Sequence, residues 1–186
     1  VGSEMCIRDS SNYDPNSPYA SSKAAADHLV QAWNKTYGLP VIITHSSNNY
    51  GPYQFPEKLI PVVIINALNN KSIPIYGDGK NIRDWIHVDD HAEALLLLLE
   101  KGKNGDNYNI GGRTEITNLA ITNQICDIVD CIKKVHEGSS AKLITFVEDR
   151  PAHDRRYAIN TDKLNSHLNW SPRISFERGL EQTVHW

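Results

Sequence analysis

The chain has 186 residues, a net charge of −3 at pH 7 and a pI near 6.2. That length suits one domain with a core, or a portion of something larger, and its hydrophobic and charged fractions of 40% and 22% are those of an ordinary globular protein. Lys and Arg form no block, which excludes a nucleic-acid partner, and the apolar run Ala92–Leu99, interrupted by Glu93, falls far short of the ~20 residues that cross a bilayer, which argues against a membrane partner and for a cytoplasmic protein.

Val1–Ser10 has no periodicity and no cap or turn logic joining it to the segment after it. It reads as a foreign leader and stands outside the fold reasoning. Asp14-Pro15-Asn16-Ser17-Pro18 is turn chemistry and opens an amphipathic helix that carries Ala24-Ala25-Ala26, Leu29, Val30 and Trp33 and stops at Gly38-Leu39-Pro40. Tyr19 and Lys23 share one face of its first turns. An ammonium beside a phenol favours the phenolate, so Lys23 can tune Tyr19 into a general base; the bland alternative is a solvated helix face.

Val41-Ile42-Ile43-Thr44 is a β-branched run suited to a strand buried on both faces. A helix feeding such a strand through a short loop is a piece of an α/β fold with a parallel sheet. The strand empties into His45-Ser46-Ser47-Asn48-Asn49-Tyr50-Gly51-Pro52, and in open α/β sheets ligands bind beyond the strands' carboxyl ends. A further helix begins near Pro56-Glu57-Lys58-Leu59, with Ile64, Ile65 and Leu68 as its expected buried stripe and Lys58 placed for an anionic group.

Ile73-Pro74-Ile75-Tyr76 and Asn81-Ile82-Arg83-Asp84-Trp85-Ile86-His87-Val88 read as two short strands around a Gly-rich turn. Tyr76 offers a flat ring and Arg83 a bidentate fork, a pairing that suits a nucleotide base and a phosphate, against a core Tyr and a surface ion pair as the alternative. Asp89-Asp90 is read as the cap of a helix from His91 to Lys101. His87, Asp89, Asp90 and His91 straddle a strand end and a helix start and do not share a face, so no metal is assigned.

Tyr108–Ile110 is a strand leading to Gly111-Gly112, and Asn118 is an N-cap for a helix over Leu119–Lys134. A strand over Leu143–Val147 precedes Glu148–Tyr157, where Arg150, His153, Arg155 and Arg156 form a polar loop resembling an anion clamp, its acids being the alternative partners. Thr161 caps a short helix, and an amphipathic segment runs from Phe176 to Trp186. Cys6, Cys126 and Cys131 cannot all pair and lack zinc spacing, so they read as structural thiols in a reducing compartment.

Tyr19-x-x-x-Lys23, Ser47–Pro52, Ile75–Gly79 and Arg83-Asp84-Trp85 together resemble the extended short-chain dehydrogenase/reductase superfamily that acts on nucleotide sugars. Phe55–Pro61 and Asp149–Tyr157 resemble its dTDP-glucose 4,6-dehydratase family in particular. The resemblance spans Tyr13–Trp186 and implies the end of an NAD-binding Rossmann-like doubly wound sheet plus a smaller α/β substrate domain. Residues 11–56 and parts of 80–110 would belong to the first, and 57–80 with 111–186 mainly to the second. It further implies dehydration of dTDP-glucose to dTDP-4-keto-6-deoxyglucose with NAD as cofactor, by a full-length homodimer.

Carried over by position, Tyr19 is the base, and Lys23 holds the nicotinamide ribose. Asn48 would contact the sugar and Asn49 the nicotinamide; Lys58 and Leu59 would lie along the nucleotide, Pro74 and Tyr76 against thymine, Arg83 and Arg150 at the diphosphate. Asn118, His153 and Tyr157 complete the pocket. The family's Gly-rich phosphate loop and its Thr-Asp-Glu motif have no counterpart, so the chain is expected to be an inactive C-terminal fragment of such an enzyme. The alternatives are another nucleotide-sugar epimerase or decarboxylase, or a non-catalytic binding module.

Overall fold

The computed structural model describes residues 7–15, 17–151 and 153–186. Cys6 lies outside them, as do the first six residues of the leader, Asn16 of the first turn and Ala152 of the clamp loop. Helix α1 spans Pro18–Tyr37: Ser17 Oγ accepts from Ala20 N, Pro18 occupies a first-turn position where no N–H is required, and Gly38 closes the helix at φ 69°. Strands β1 (Ile43–Ser46) and β2 (Asn48–Tyr50), helix α2 (Leu59–Leu68), strands β3 (Ile73–Tyr76) and β4 (Ile82–His87) and helix α3 (Val88–Lys101) come next. Then come β5 (Asn107–Ile110), β6 (Glu115–Thr117), α4 (Asn118–Lys133), a 3-10 turn at Ser140–Leu143, β7 (Ile144–Val147), β8 (Arg156–Tyr157), α5 (Asp162–Leu168) and α6 (Phe176–His185).

The strands form three small ladders, and parallel pairing dominates, as an α/β fold requires. β1 runs parallel to β5 with Ile43 opposite Asn107, and β3 runs parallel to β7 with Ile73 opposite Ile144. β4 is the hub of the third: Trp85–His87 pair in parallel with β2, and its first residues pair antiparallel with β6 and in parallel with β8. The strands on either side of Gly77-Asp78-Gly79 therefore do not pair with each other. The turn passes the chain from one ladder to another, because β3 finds β7 and β4 finds three other strands.

Two apolar clusters hold these layers. α2, α4 and α6 pack through Ile60, Val63, Ile121, Ile125, Val129 and Leu180 onto Tyr50 and Trp85, while α3 and α5 pack through Ala94, Leu98 and Leu164 onto Ile86, Tyr108 and Ile110. Burial on α2 falls on Ile60, Val63 and Ala67; Ile64 is half-buried and Ile65 and Leu68 are exposed, so the helix is turned about one residue from the expected stripe to meet α4. Similarly, β1 begins at Ile43 rather than Val41, and beyond Ile43 it is only half-buried, since among the described residues β5 is the one strand paired with it.

Side chains reassign three expected caps. His87, not Asp89 or Asp90, caps α3, its Nδ1 accepting from Asp89 N at 3.3 Å, and the buried Asp90 instead accepts from Arg173 N and Ile174 N. Thr117, not Asn118, caps α4 by accepting from Ala120 N. Thr161 occupies the N-cap position of α5, but its hydroxyl accepts from Arg113 Nε, and Asn160 Oδ1 takes Asp162 N.

The end of the leader is tied down as well. Ile7 bridges Ile159 in parallel, its N donating to Ala158 O at 2.9 Å and its O accepting from Asn160 N at 2.7 Å, while Asp9 O accepts from Asn107 Nδ2. No local pattern announces this docking, because its partners lie near the other end of the chain. α1, by contrast, buries only Ala24 and leaves Leu29 and Trp33 63% and 53% exposed.

Candidate active site

The Ser17 cap and Pro18 fix the first turn of α1, and that turn presents Tyr19, 73% exposed, with Lys23 Nζ 5.7 Å from its ring centroid. A cleft of about 580 Å³ opens in front of them. Of the residues expected at the site, Tyr19, Lys23, Asn48 and Tyr157 line it. The lining comes from elements that meet only in the fold: the segment before α1 from Ile7 onward, α1, the carboxyl end of β1 with β2, and β8.

Asn49 follows Asn48 on β2 but is held by the backbone. Its Nδ2 donates to Ser47 O at 3.1 Å, its own carbonyl accepts from Gln54 Nε2 at 2.8 Å, and its Oδ1 is buried without a partner. Beneath the loop, Asp84 on β4 is 1% exposed. Burial drives its carboxyl up to about 6, although Thr114 N donates to Oδ1 at 2.7 Å, and Oδ2 has no hydrogen-bond partner.

A second group adjoins the cleft through Tyr157, whose Cα partner on β4 is Arg83. Arg83 is half-buried; Nη1 donates to Ile82 O at 2.7 Å and Nη2 to Asp154 O at 2.8 Å. Burial holds its guanidinium below the ordinary arginine value, and burial likewise raises the Tyr157 phenol. Arg150 lies 5.6 Å over the Tyr76 ring, a cation–π stack at the end of β3. His153 Nδ1 meets Asp149 Oδ1 at 2.6 Å, and that hydrogen bond is the leading cause that holds Asp149 below the usual carboxylate range. Arg155 grips Asp78 with both Nη atoms, and Arg156 grips Glu115 with Nε and Nη2, so these two arginines latch the clamp loop to β6 and the β3–β4 turn.

Pro74 is half-buried beside Tyr76 on β3. Lys58, Leu59 and Asn118 stand apart from the cleft lining: Lys58 is exposed, pairs with Glu57 at 3.0 Å and precedes Leu59 at the start of α2, and Asn118 opens α4 with its N donating to Asn81 O. The cleft also contains Tyr13, Asp27 and His45. Of these, His45 opens the polar loop expected at the strand's carboxyl end, and Asp27, not singled out from the sequence, carries the four-residue step from Lys23 along one helix face.

The family profile described as GDP-mannose 4,6 dehydratase matches residues 2–183. The dTDP-glucose 4,6-dehydratase of Haemophilus influenzae is 54% identical over 99% of this chain, which covers 55% of that relative. Among solved structures, the Bacillus anthracis dTDP-glucose 4,6-dehydratase in complex with NAD superposes with a TM-score of 0.89 at 48% identity, over 100% of this chain and 57% of its own. The Streptomyces venezuelae dTDP-glucose 4,6-dehydratase, also with NAD bound, gives 0.89 at 42% identity over 98% and 54%. The chain thus spans about half the length of the curated relatives it matches. With the profile running along nearly its whole length, it belongs to the GDP-mannose 4,6 dehydratase family.

Proposed function

We infer that the protein carrying this chain is a dTDP-glucose 4,6-dehydratase, a hydro-lyase that removes water from dTDP-glucose to give dTDP-4-keto-6-deoxyglucose. The observation that carries this reading is the convergence of Tyr19, Lys23, Asn48 and Tyr157 on one cleft, with Arg83 adjoining it through Tyr157. The names of the high-identity relatives support it.

In this reading Tyr19 takes the proton of the sugar 4-hydroxyl, and the Lys23 ammonium beside its ring stabilises the developing phenolate. Asn48 orients the sugar, and Tyr157 closes the inner end of the cleft. Tyr76 with Pro74 receives the thymine face; Arg150 and the free donors of Arg83 face the diphosphate; Lys58, Leu59, Asn118 and His153 bound the nucleotide. The buried, unpartnered Asn49 Oδ1 is the acceptor a carboxamide N–H requires, so the nicotinamide end of NAD fits here, with Lys23 on its ribose. NAD, when bound, supplies the reversible hydride acceptor for C4. No Gly-rich phosphate loop occurs in these residues, so this chain meets only that end of the cofactor.

Residues 11–56 and parts of 80–110 then complete an NAD-binding unit, and 57–80 with 111–186 form the nucleotide-sugar unit. The same reading makes the full-length protein a cytoplasmic homodimer and this chain alone inactive. Among the described residues no helix is long and apolar enough to cross a membrane. The test is turnover of dTDP-glucose by the full-length protein and its Tyr19→Phe variant. The reading expects a loss of ~10²–10⁴-fold in kcat with substrate binding retained. Binding without turnover in the wild-type protein, or equal competition by uridine and thymidine diphosphates, overturns it.

A further inference from the structure

One turn beyond Lys23, on the same face of α1, stands Asp27. Its Oδ2 accepts from Tyr13 Oη at 2.9 Å and meets His45 Nε2 at 2.9 Å, and the Tyr13 hydroxyl lies 3.3 Å from His45 Nε2. The Tyr13 ring also meets His28 edge-on, with centroids 5.1 Å apart. Tyr13, Asp27 and His45 line the cleft that holds Tyr19, Lys23 and Asn48. They come from three pieces of chain: the segment entering α1, α1 itself, and β1 three residues before Asn48.

α1 meets the rest of this chain through one stripe, Ala20, Ala24, Asp27, Gln31 and Asn34. Of these Ala24 alone is fully buried, and Asp27 is the one that hydrogen-bonds across to Tyr13 and His45. A carboxylate hydrogen bond between half-buried groups is short and directional, whereas apolar contact is not. One residue of helical rotation is about 100°, enough to carry Tyr19 off the cleft. We propose that Asp27 and His45, joined by Tyr13, are positioning residues: they set the angle of α1 on β1 and so aim Tyr19 and Lys23 at the Asn48 side of the cleft. They act through the helix and touch no reacting atom. The inference rests on the dehydratase reading for its kinetic arm and on the chain alone for its spectroscopic arm.

In the full-length protein, Asp27→Ala lowers kcat for dTDP-glucose by ~10–100-fold at unchanged KM, because the nucleotide-facing residues sit on other elements. Asp27→Asn, which can still accept from Tyr13 and offer an amide to His45, restores most of it. In the 186-residue chain, the NMR resonance of ring-labelled Tyr19 moves in Asp27→Ala and His45→Ala and returns in Asp27→Asn, while the core signals of Trp85 and Phe176 stay in place. A Tyr19 resonance indifferent to both alanine variants overturns the proposal, as does a loss of kcat that tracks collapse of the Trp85 and Phe176 signals. Should the wild-type protein turn over no dTDP-sugar, the dehydratase reading falls, and the Tyr19 resonance still decides this one.

Discussion

Asp84 shows how burial governs a single residue. A carboxyl that titrates at about 6 in the fold and near 3.8 when free binds its proton more tightly folded than unfolded. Its stabilising contribution is therefore complete below the unfolded value and is lost as pH rises through about 6, a swing of roughly 3 kcal/mol for two pKa units. Denaturant midpoints measured between pH 4 and 7 are expected to fall with this slope, and Asp84→Asn to flatten it. Tyr13 behaves likewise at the alkaline end: burial first, then its bond to Asp27, pushes the phenol up to about 12. Spectrophotometric titration of Asp27→Ala is expected to bring Tyr13 back toward ~10. Neither group is marked locally in the sequence, since the Thr114, Gly112 and Ser47 neighbours of Asp84 and the His45 neighbour of Tyr13 arrive from other elements.

Among the elements, the best-anchored join is between α4 and the 3-10 turn. The buried Asp130 accepts from Ser140 N with both oxygens, at 3.0 and 3.2 Å, and from Ser140 Oγ at 2.5 Å. Asp130→Ala leaves a buried N–H and hydroxyl unpaired, and a loss of ~2–4 kcal/mol is expected by urea denaturation. Gly112 marks an equally strict join, since a Cβ there would collide with the Trp85 carbonyl. Gly112→Ala is expected to prevent the β4–β6 ladder from forming, read as loss of the near-ultraviolet signal of Trp85. Helix limits were legible in Ser17, Pro18 and Gly38 because caps are local chemistry. The pairing of β3 and β4 was not, because a Gly-rich turn fixes only the local chain direction, and ladder partners are chosen by what each strand meets.

At the scale of the molecule, anchoring is uneven. α4 buries Ile121, Thr122, Ile125, Cys126, Val129 and Asp130, whereas α1 buries Ala24 alone. Hydrogen-exchange mass spectrometry of this chain is expected to find amides over residues 20–37 exchanging well before those over 121–130. Within these residues the helix that bears Tyr19 and Lys23 is thus the least buried of the long helices.

The sequence by itself determined the α/β class, the helices α1 to α6 and the strands β1, β3, β4, β5 and β7 to within a few residues, and the Tyr19–Lys23 pair, because each is written in periodicity, caps or spacing along a few turns of chain; β2, β6 and β8 fall in stretches that read as loops. Tertiary structure alone decided that β4 is a hub, that α2 turns Ile60 and Val63 inward, that His87 and Thr117 are the caps, and that Asn48 and Tyr157 share a cleft with Tyr19 while Asn118 and Lys58 stand apart from it. These outcomes depend on contacts between segments far apart in the chain, where packing and burial outweigh the small energies of local preference.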